Sequence, residues 1–312
     1  MGADRPLRRL WLRLRSLPQA LSLHPRARHL LTACWLLAAI TLLLLLLGVS
    51  RSYYASQRRA AALQQRTVYV ITPTYRRPEQ LAELTRLAQT LMHVPALHWL
   101  VIEDAARTTP AVGELLASTG VRYDHLVAPM PEECNILPGV KPRGVPQRNR
   151  GLQWIRANAS RGVLYFADDD NSYDIRLFEE VRSTERVAMW PVGLIGNYGI
   201  STPVVVDGRL AGFYDHWISE RKFPVDMAGF AVSVEFLSQR PNAFMPYETG
   251  FEEDGFLKSL APFEPNEIEL KANNCTKVLV WHTQTKKNEP SAPVDIKKYN
   301  KTNLVLLKKQ IV

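Results

Sequence analysis

Three consecutive aspartates, Asp168, Asp169 and Asp170, follow the apolar run 163–167. Carboxylates this close repel one another, and either backbone N–H groups or a divalent cation must offset them. Hard cations such as magnesium or manganese suit carboxylate oxygens and keep open positions for phosphate. The same stretch also reads as a solvated acidic turn capping a helix over 175–182. Other groups have the chemistry to join the aspartates on a nucleotide diphosphate. Tyr75 offers a face for base stacking, and Asp104 a carboxylate that accepts the imide N–H of uracil. Arg143 and Arg148 offer planar forks that pair bidentately with phosphate or hold a carboxylate in place. Singly, each has a plainer role: a loop aromatic, a helix cap, a solvated surface.

These groups need a scaffold that brings distant positions to one edge. Apolar runs at 67–72, 98–102, 121–128 and 163–167 read as strands, and three of them end in polar or acidic residues. Between them, 79–92 carries leucines at helical spacing (Leu81, Leu84, Leu87, Leu91), and 111–118 and 147–157 also read as helices. Alternating strands and helices predict an α/β fold with a mostly parallel, helix-covered sheet, whose carboxyl edge is the usual ligand site. After Trp190 the texture changes to Gly, Pro and short β-like pieces, so a division is expected near residue 190. The apolar run 278–282 ends in His282, and a Lys- and Asn-rich tail follows residue 286.

Residues 30–49 carry no charge, and at about 1.5 Å per residue they span roughly 30 Å, the thickness of a bilayer core. Seven arginines precede this run, so the positive-inside tendency places residues 1–29 in the cytosol, 30–49 in the membrane as a signal anchor, and the rest in the lumen. Residues 50–66 read as a short stem. The formal charge of +9 is largely this tail, and it gives no reason to expect nucleic-acid binding. Asn158, Asn274 and Asn300 lie in N-glycosylation sequons, usable only on the lumenal side. Cys134 and Cys275 have no zinc-type spacing, and spacing does not decide whether they pair.

Two other classes share part of this pattern. Haloacid-dehalogenase phosphatases also place Asp-x-Asp at a strand end, but need a downstream lysine and acidic pair that no later strand end supplies here. A non-catalytic lumenal domain that uses the acids for calcium leaves Asp226 and Glu253 without a role.

The long motifs Val70-Ile71-Thr72-Pro73-Thr74-Tyr75, His98 to Ala105, Pro142-Arg143-Gly144 with Gln147-Arg148-Asn149, Phe166 to Asn171, Trp190 to Gly193, Phe223 to Phe230 and Asn274 to Thr283 together resemble the beta-1,3-glucuronosyltransferases, glycosyltransferase family 43. The resemblance covers about residues 67–285. It implies a GT-A fold, with a UDP-sugar and metal-binding half at 67–190 and an acceptor half with the C-terminal tail at 191–312. It further implies a type II Golgi membrane protein and manganese-dependent inverting transfer of glucuronic acid from UDP-glucuronate to the 3-hydroxyl of a terminal galactose. The acceptor would be a proteoglycan linkage glycan or an HNK-1-type epitope, and a homodimer is left open.

Position by position, the resemblance implies that Tyr75 stacks on uracil and Asp104 accepts from it. Arg143 and Arg148 steady the nucleotide and neighbouring acids, and Asp168 is among the residues that bind the nucleotide-sugar. Asp169 meets the ribose, Asp170 binds Mn2+, and His282 lies near the diphosphate. Trp217 and Asp226 contact the acceptor sugar, and Glu253 is the base. Two positions depart from the family pattern: Gln284 stands where a basic residue usually follows His-Thr, and Thr249 where an arginine often precedes the glutamate. The departures bear on donor affinity and on which UDP-sugar is used.

Overall fold

The computed structural model describes residues 25–136, 141–285, 287–289, 292–299 and 301–310. The chain divides into two units, residues 1–61 and 62–312. The described part of the first is one long helix, α1 (Pro25–Gln64), in which Cys34–Tyr54 is apolar and long enough to cross a membrane. The helix continues through residues 50–64, so most of the segment read as a stem is helical.

The second unit is built on β1 (Val68–Thr74), β2 (Leu97–Glu103), β3 (Arg122–Val127) and β4 (Val163–Phe166), all parallel, in the order β4-β1-β2-β3. β1, β2 and β4 read as near-continuous apolar runs because helices or loops cover both faces. On one face Val70, Trp99 and Tyr165 pack with Leu84, Leu87 and Leu91 of α2 (Gln80–Leu91). On the other, Ile71, Leu100 and Phe166 meet Val145, Leu152 and Ile155 of the helix Val145–Asn158. Two further helices, α3 (Pro110–Ser118) and α4 (Glu132–Ile136), precede that helix, α5 (Val145–Asn158), and Gly151 lets α5 lie close on Ile71, where a Cβ would stand 2.8 Å from its side chain.

The chain then crosses the division expected near residue 190 in both directions. β5 (Ser172–Tyr173), from the first half, pairs with β12 (Val280–Trp281) in a second sheet ordered β5-β12-β7-β8-β9, where β7 is Val192–Gly193, β8 Ile200–Val206 and β9 Arg209–Tyr214. Conversely β10 (Phe230–Ser233) inserts antiparallel between β4 and β6 (Val187–Met189), and β11 (Glu269–Leu270) extends the large sheet beyond β6. The result is a mixed sheet of seven strands rather than a purely parallel one. Asn149 fastens the halves further: its side chain donates to Met245 O (2.8 Å) and accepts from Met245 N (2.9 Å), both deep in the core. Residues 62–312 are therefore one compact unit.

Candidate active site

β1, β2 and β4 end side by side, and parallel pairing puts their carboxyl ends on one edge. Ala167 N still donates to Ile71 O (3.0 Å), which holds the chain on the sheet until the aspartates turn away. They are not a helix cap: β5 intervenes before the helix Leu177–Arg182.

The three acids have different surroundings. Asp168 accepts from Nη2 of the buried Arg148, and its carbonyl accepts from Tyr173 Oη (2.9 Å). Asp169 is buried, with Oδ1 accepting from Arg77 Nη2 (2.7 Å) and Oδ2 from Thr74 Oγ1 (2.7 Å). Asp170 receives no side-chain hydrogen bond among the described residues; only its carbonyl is engaged, by Thr283 Oγ1 and by Arg86 Nη2 (3.3 Å). Burial, then the charges of Asp168 and Asp169, push the Asp170 carboxyl up to about 6. Arg148 is held above the ordinary arginine value although burial opposes this, because Asp168, Glu253 and Glu252 surround it with negative charge.

Two arginines thus pair with two of the aspartates, and the third side chain has no hydrogen-bonded basic partner among the described residues. Among the described residues no three Asp, Glu, His or Cys side chains are grouped to cage a metal by themselves. The donor set fits an ion held by one carboxylate with phosphate and water completing its shell, the habit of small hard cations.

Tyr75 is exposed just past β1, with the Arg77 guanidinium 4.6 Å from its ring centroid. Asp104 is exposed past β2; its N–H donates to Thr74 O (2.8 Å) and its Oδ1 accepts from Met130 N (2.8 Å), so its backbone is tied to β1. Arg143 is also exposed, in the turn that leads into α5, and its carbonyl accepts from Arg148 Nη1 (3.2 Å).

Across from these acids, α6 (Leu177–Arg182) and the short α7 (Val234–Ser238) precede α8 (Glu252–Ser259), whose first turn holds three acids. Asp254 is buried: its Oδ1 accepts from Lys222 N and Phe223 N (both 2.8 Å), and its Oδ2 forms an ion pair with Lys258 (2.5 Å). Glu252 accepts from Gly250 N. Glu253 accepts only from its own backbone N–H among the described residues, and burial, followed by the negative charge of Asp226, pushes its carboxyl up to about 8. Asp226 caps the turn Met227–Gly229 by accepting from Ala228 N (3.0 Å), and its Oδ2 lies 3.5 Å from His282 Nδ1. Burial raises the Asp226 carboxyl against the pull of His282, which the bond from His282 N to Gly193 O (2.9 Å) holds on the second sheet.

Trp217 is 47% exposed and therefore not a core residue. Arg221 stacks on it at 4.6 Å and also donates to Gly250 O. Gly250, at φ +83°, is required here, since a Cβ would stand 2.5 Å from the Trp217 ring. Asn158 and Asn274 are exposed, as glycosylation requires, while Asn300 lies outside the described residues. Cys134 and Cys275 are both free thiols. Gln284 is exposed at the start of the C-terminal segment.

The sequence reading overlooked Arg77, Thr74, Arg221 and Thr283. Arg77 had a legible signal, a basic pair directly after Tyr75; the other three become visible only once their partners are in place.

A mixed α/β sheet that gathers acids and arginines at its carboxyl edge, with a second acidic cluster facing it from a later helix, has the GT-A architecture of nucleotide-sugar glycosyltransferases. Residues 87–286 match the family described as Glycosyltransferase family 43, and the chain belongs to that family. It is 60% identical to galactosylgalactosylxylosylprotein 3-beta-glucuronosyltransferase P of Drosophila melanogaster over 76% of this chain and 50% of the fly protein. It is 50% identical to the S protein of the same name and organism, over 76% and 58%, and 47% identical to the human protein numbered 2, over 73% of each. The chain thus spans only 50% and 58% of the two fly relatives.

Proposed function

We propose that this chain transfers glucuronic acid, with inversion, from UDP-glucuronate to the 3-hydroxyl of a terminal galactose on a glycoprotein or proteoglycan linkage glycan. The observation that carries the reading is the asymmetry of the two acid clusters: Asp168 and Asp169 are each matched by an arginine, whereas the half-buried Glu253 has no basic partner in hydrogen-bond contact among the described residues and its carboxyl is raised. The printed names of the relatives supply the sugar and the acceptor type.

On this reading the uracil stacks on Tyr75 and donates its imide N–H to Asp104, while Asp169 takes the ribose. Asp170 holds Mn2+, which when bound stabilises negative charge on the departing diphosphate. Arg148 keeps Asp168 in place, and His282 lies toward the phosphates. Trp217 and Asp226 receive the acceptor sugar. Inversion needs one in-line displacement, so the acceptor hydroxyl loses its proton as it attacks. The base must stand opposite the departing group, and the donor-side aspartates are committed to the other side. Glu253 takes the proton on a carboxylate oxygen; Glu252 and Asp254 are occupied by backbone N–H groups.

The decisive experiment is a donor screen with purified protein, Mn2+, a panel of UDP-sugars and a galactose-terminated acceptor. Turnover restricted to UDP-glucuronate supports the assignment; preference for another UDP-sugar reassigns the donor, and Gln284 and Thr249 are then the first positions to vary. We further propose a single-pass type II Golgi location with α1 as anchor. Protease added to sealed microsomes should trim only the residues before the span, and digestion of 67–312 would reverse the orientation.

A further inference from the structure

Arg77 ties Asp169 to Tyr75 at the donor edge, and the reading above gives it no role. Its side chain is only 12% exposed. One end of its fork, Nη2, donates to Asp169 Oδ1 (2.7 Å), and Nη1 lies 3.4 Å from Tyr75 O. The Cζ of the same guanidinium lies over the Tyr75 ring, 4.6 Å from its centroid. On its far side Asp169 is fixed by Thr74 Oγ1 (2.7 Å), which itself accepts from Gln80 Nε2 (3.2 Å) at the start of α2. Tyr75 remains 42% exposed, so the guanidinium backs the ring without enclosing it.

We propose that Arg77 is the positioning residue for the nucleoside end of the donor: it sets the plane of the Tyr75 ring from behind and holds Asp169 in register with it, so that base stacking and ribose contact are presented together. This rests on the UDP-sugar reading given above. A planar fork can bond a carboxylate and stack on a ring at once, whereas the point charge of lysine does one or the other. Arg77→Lys therefore keeps the charge beside the acids and removes the geometry.

The test measures dissociation constants for UDP and for inorganic pyrophosphate, each with Mn2+, and kcat at saturating donor, on the full chain in detergent. R77K is expected to weaken UDP about tenfold, the scale of one charge-assisted contact. Pyrophosphate binding and kcat should each change by less than about twofold. A Y75L/R77K double-mutant cycle should be non-additive for UDP, because the two residues act as one platform. Equal weakening of UDP and pyrophosphate would reduce Arg77 to charge balance and overturn the proposal, as would unchanged UDP binding or strict additivity with Y75L. Failure of the wild type to bind UDP would instead sink the donor reading, and this inference with it.

Discussion

The two acid clusters that face the site are built on opposite principles. At the end of β4 the chain packs three carboxylates into adjacent positions and immediately supplies arginines from other elements, Arg148 from α5 and Arg77 from the loop after β1. At the start of α8 it again places three acids together, but only Asp254 and Glu252 are given donors from other residues among those described, and Glu253 is left to partial burial and to the repulsion of Asp226. The first cluster has the chemistry of a site that holds charge in place. The second has that of a site where one group must change protonation state, since a carboxyl raised to about 8 is a stronger base than an exposed one.

The largest expected effect lies on the donor side. Asp170→Ala removes the one unmatched carboxylate, and Mn2+-dependent UDP binding and turnover should fall by about 10³-fold or more, since a metal contributes several kcal/mol of leaving-group stabilisation. The checks are UDP titration with and without Mn2+ and a thermal melt to confirm the fold; wild-type activity undiminished by chelator would break this half of the contrast. On the other side, Glu253→Gln should lower kcat by about 10² to 10⁴, the usual range for general-base catalysis, with UDP and Mn2+ affinity nearly unchanged. If E253Q turns over normally while E252Q or D226N does not, the base has been misassigned.

The same residue sharpens the contrast through pH. With its carboxyl at about 8, the ionised fraction of Glu253 in the free enzyme grows about tenfold per pH unit below that value, so kcat/KM should climb and level off near pH 8. E253Q should lose that limb. The linkage to stability runs the other way. The folded state binds this proton more tightly than the unfolded chain, whose glutamate titrates near 4.5, so the contribution is fully present at low pH and is lost as pH rises from about 4.5 through about 8. Urea melts of wild type and E253Q across this window should diverge accordingly, and parallel curves would refute the raised value.

The smallest effect on chemistry should come from the neighbour with the best-satisfied carboxylate. Asp254→Ala strands the buried Phe223 N–H and the part-buried Lys222 N–H and should cost about 1–3 kcal/mol of stability while kcat at low temperature changes little. A large fall in kcat without a fall in Tm would show that the first turn of α8 does not divide its labour as described.

How much was legible from the chain varied with the length of the element. β1, β2, β4, α2 and α5 were readable because strands covered on both faces stay apolar throughout and the helices repeat their leucines or cover a strand closely. β5, β7 and β11 are two residues each, too short for any periodicity to register, whereas β12, equally short, lies inside the apolar run 278–282 that reads as a strand. β10 was hidden for another reason: Phe230–Ser233 has strand composition, but nothing local says that it inserts antiparallel beside β4 and so joins the two halves. The turn at Ala272–Cys275, all at positive φ, carries a sequon on Asn274 and no glycine to announce it.

By itself the sequence determined the chemistry on offer: an uncharged span after an arginine-rich tail, acids at the end of an apolar strand, an aromatic and a carboxylate at two neighbouring strand ends, and a glutamate in a later acidic run. These are properties of residue type and near-neighbour order, which the chain carries without folding. Only the tertiary structure decided which acid is neutralised by which arginine. It took Asp168 for Arg148 and Asp169 for Arg77, left the Asp170 side chain without a hydrogen bond, and gave donors to Asp254 and Glu252 while, among the described residues, no basic group hydrogen-bonds Glu253. Protonation and pairing depend on burial and on distances between residues up to about a hundred positions apart, and those exist only when strands, loops and helices have met.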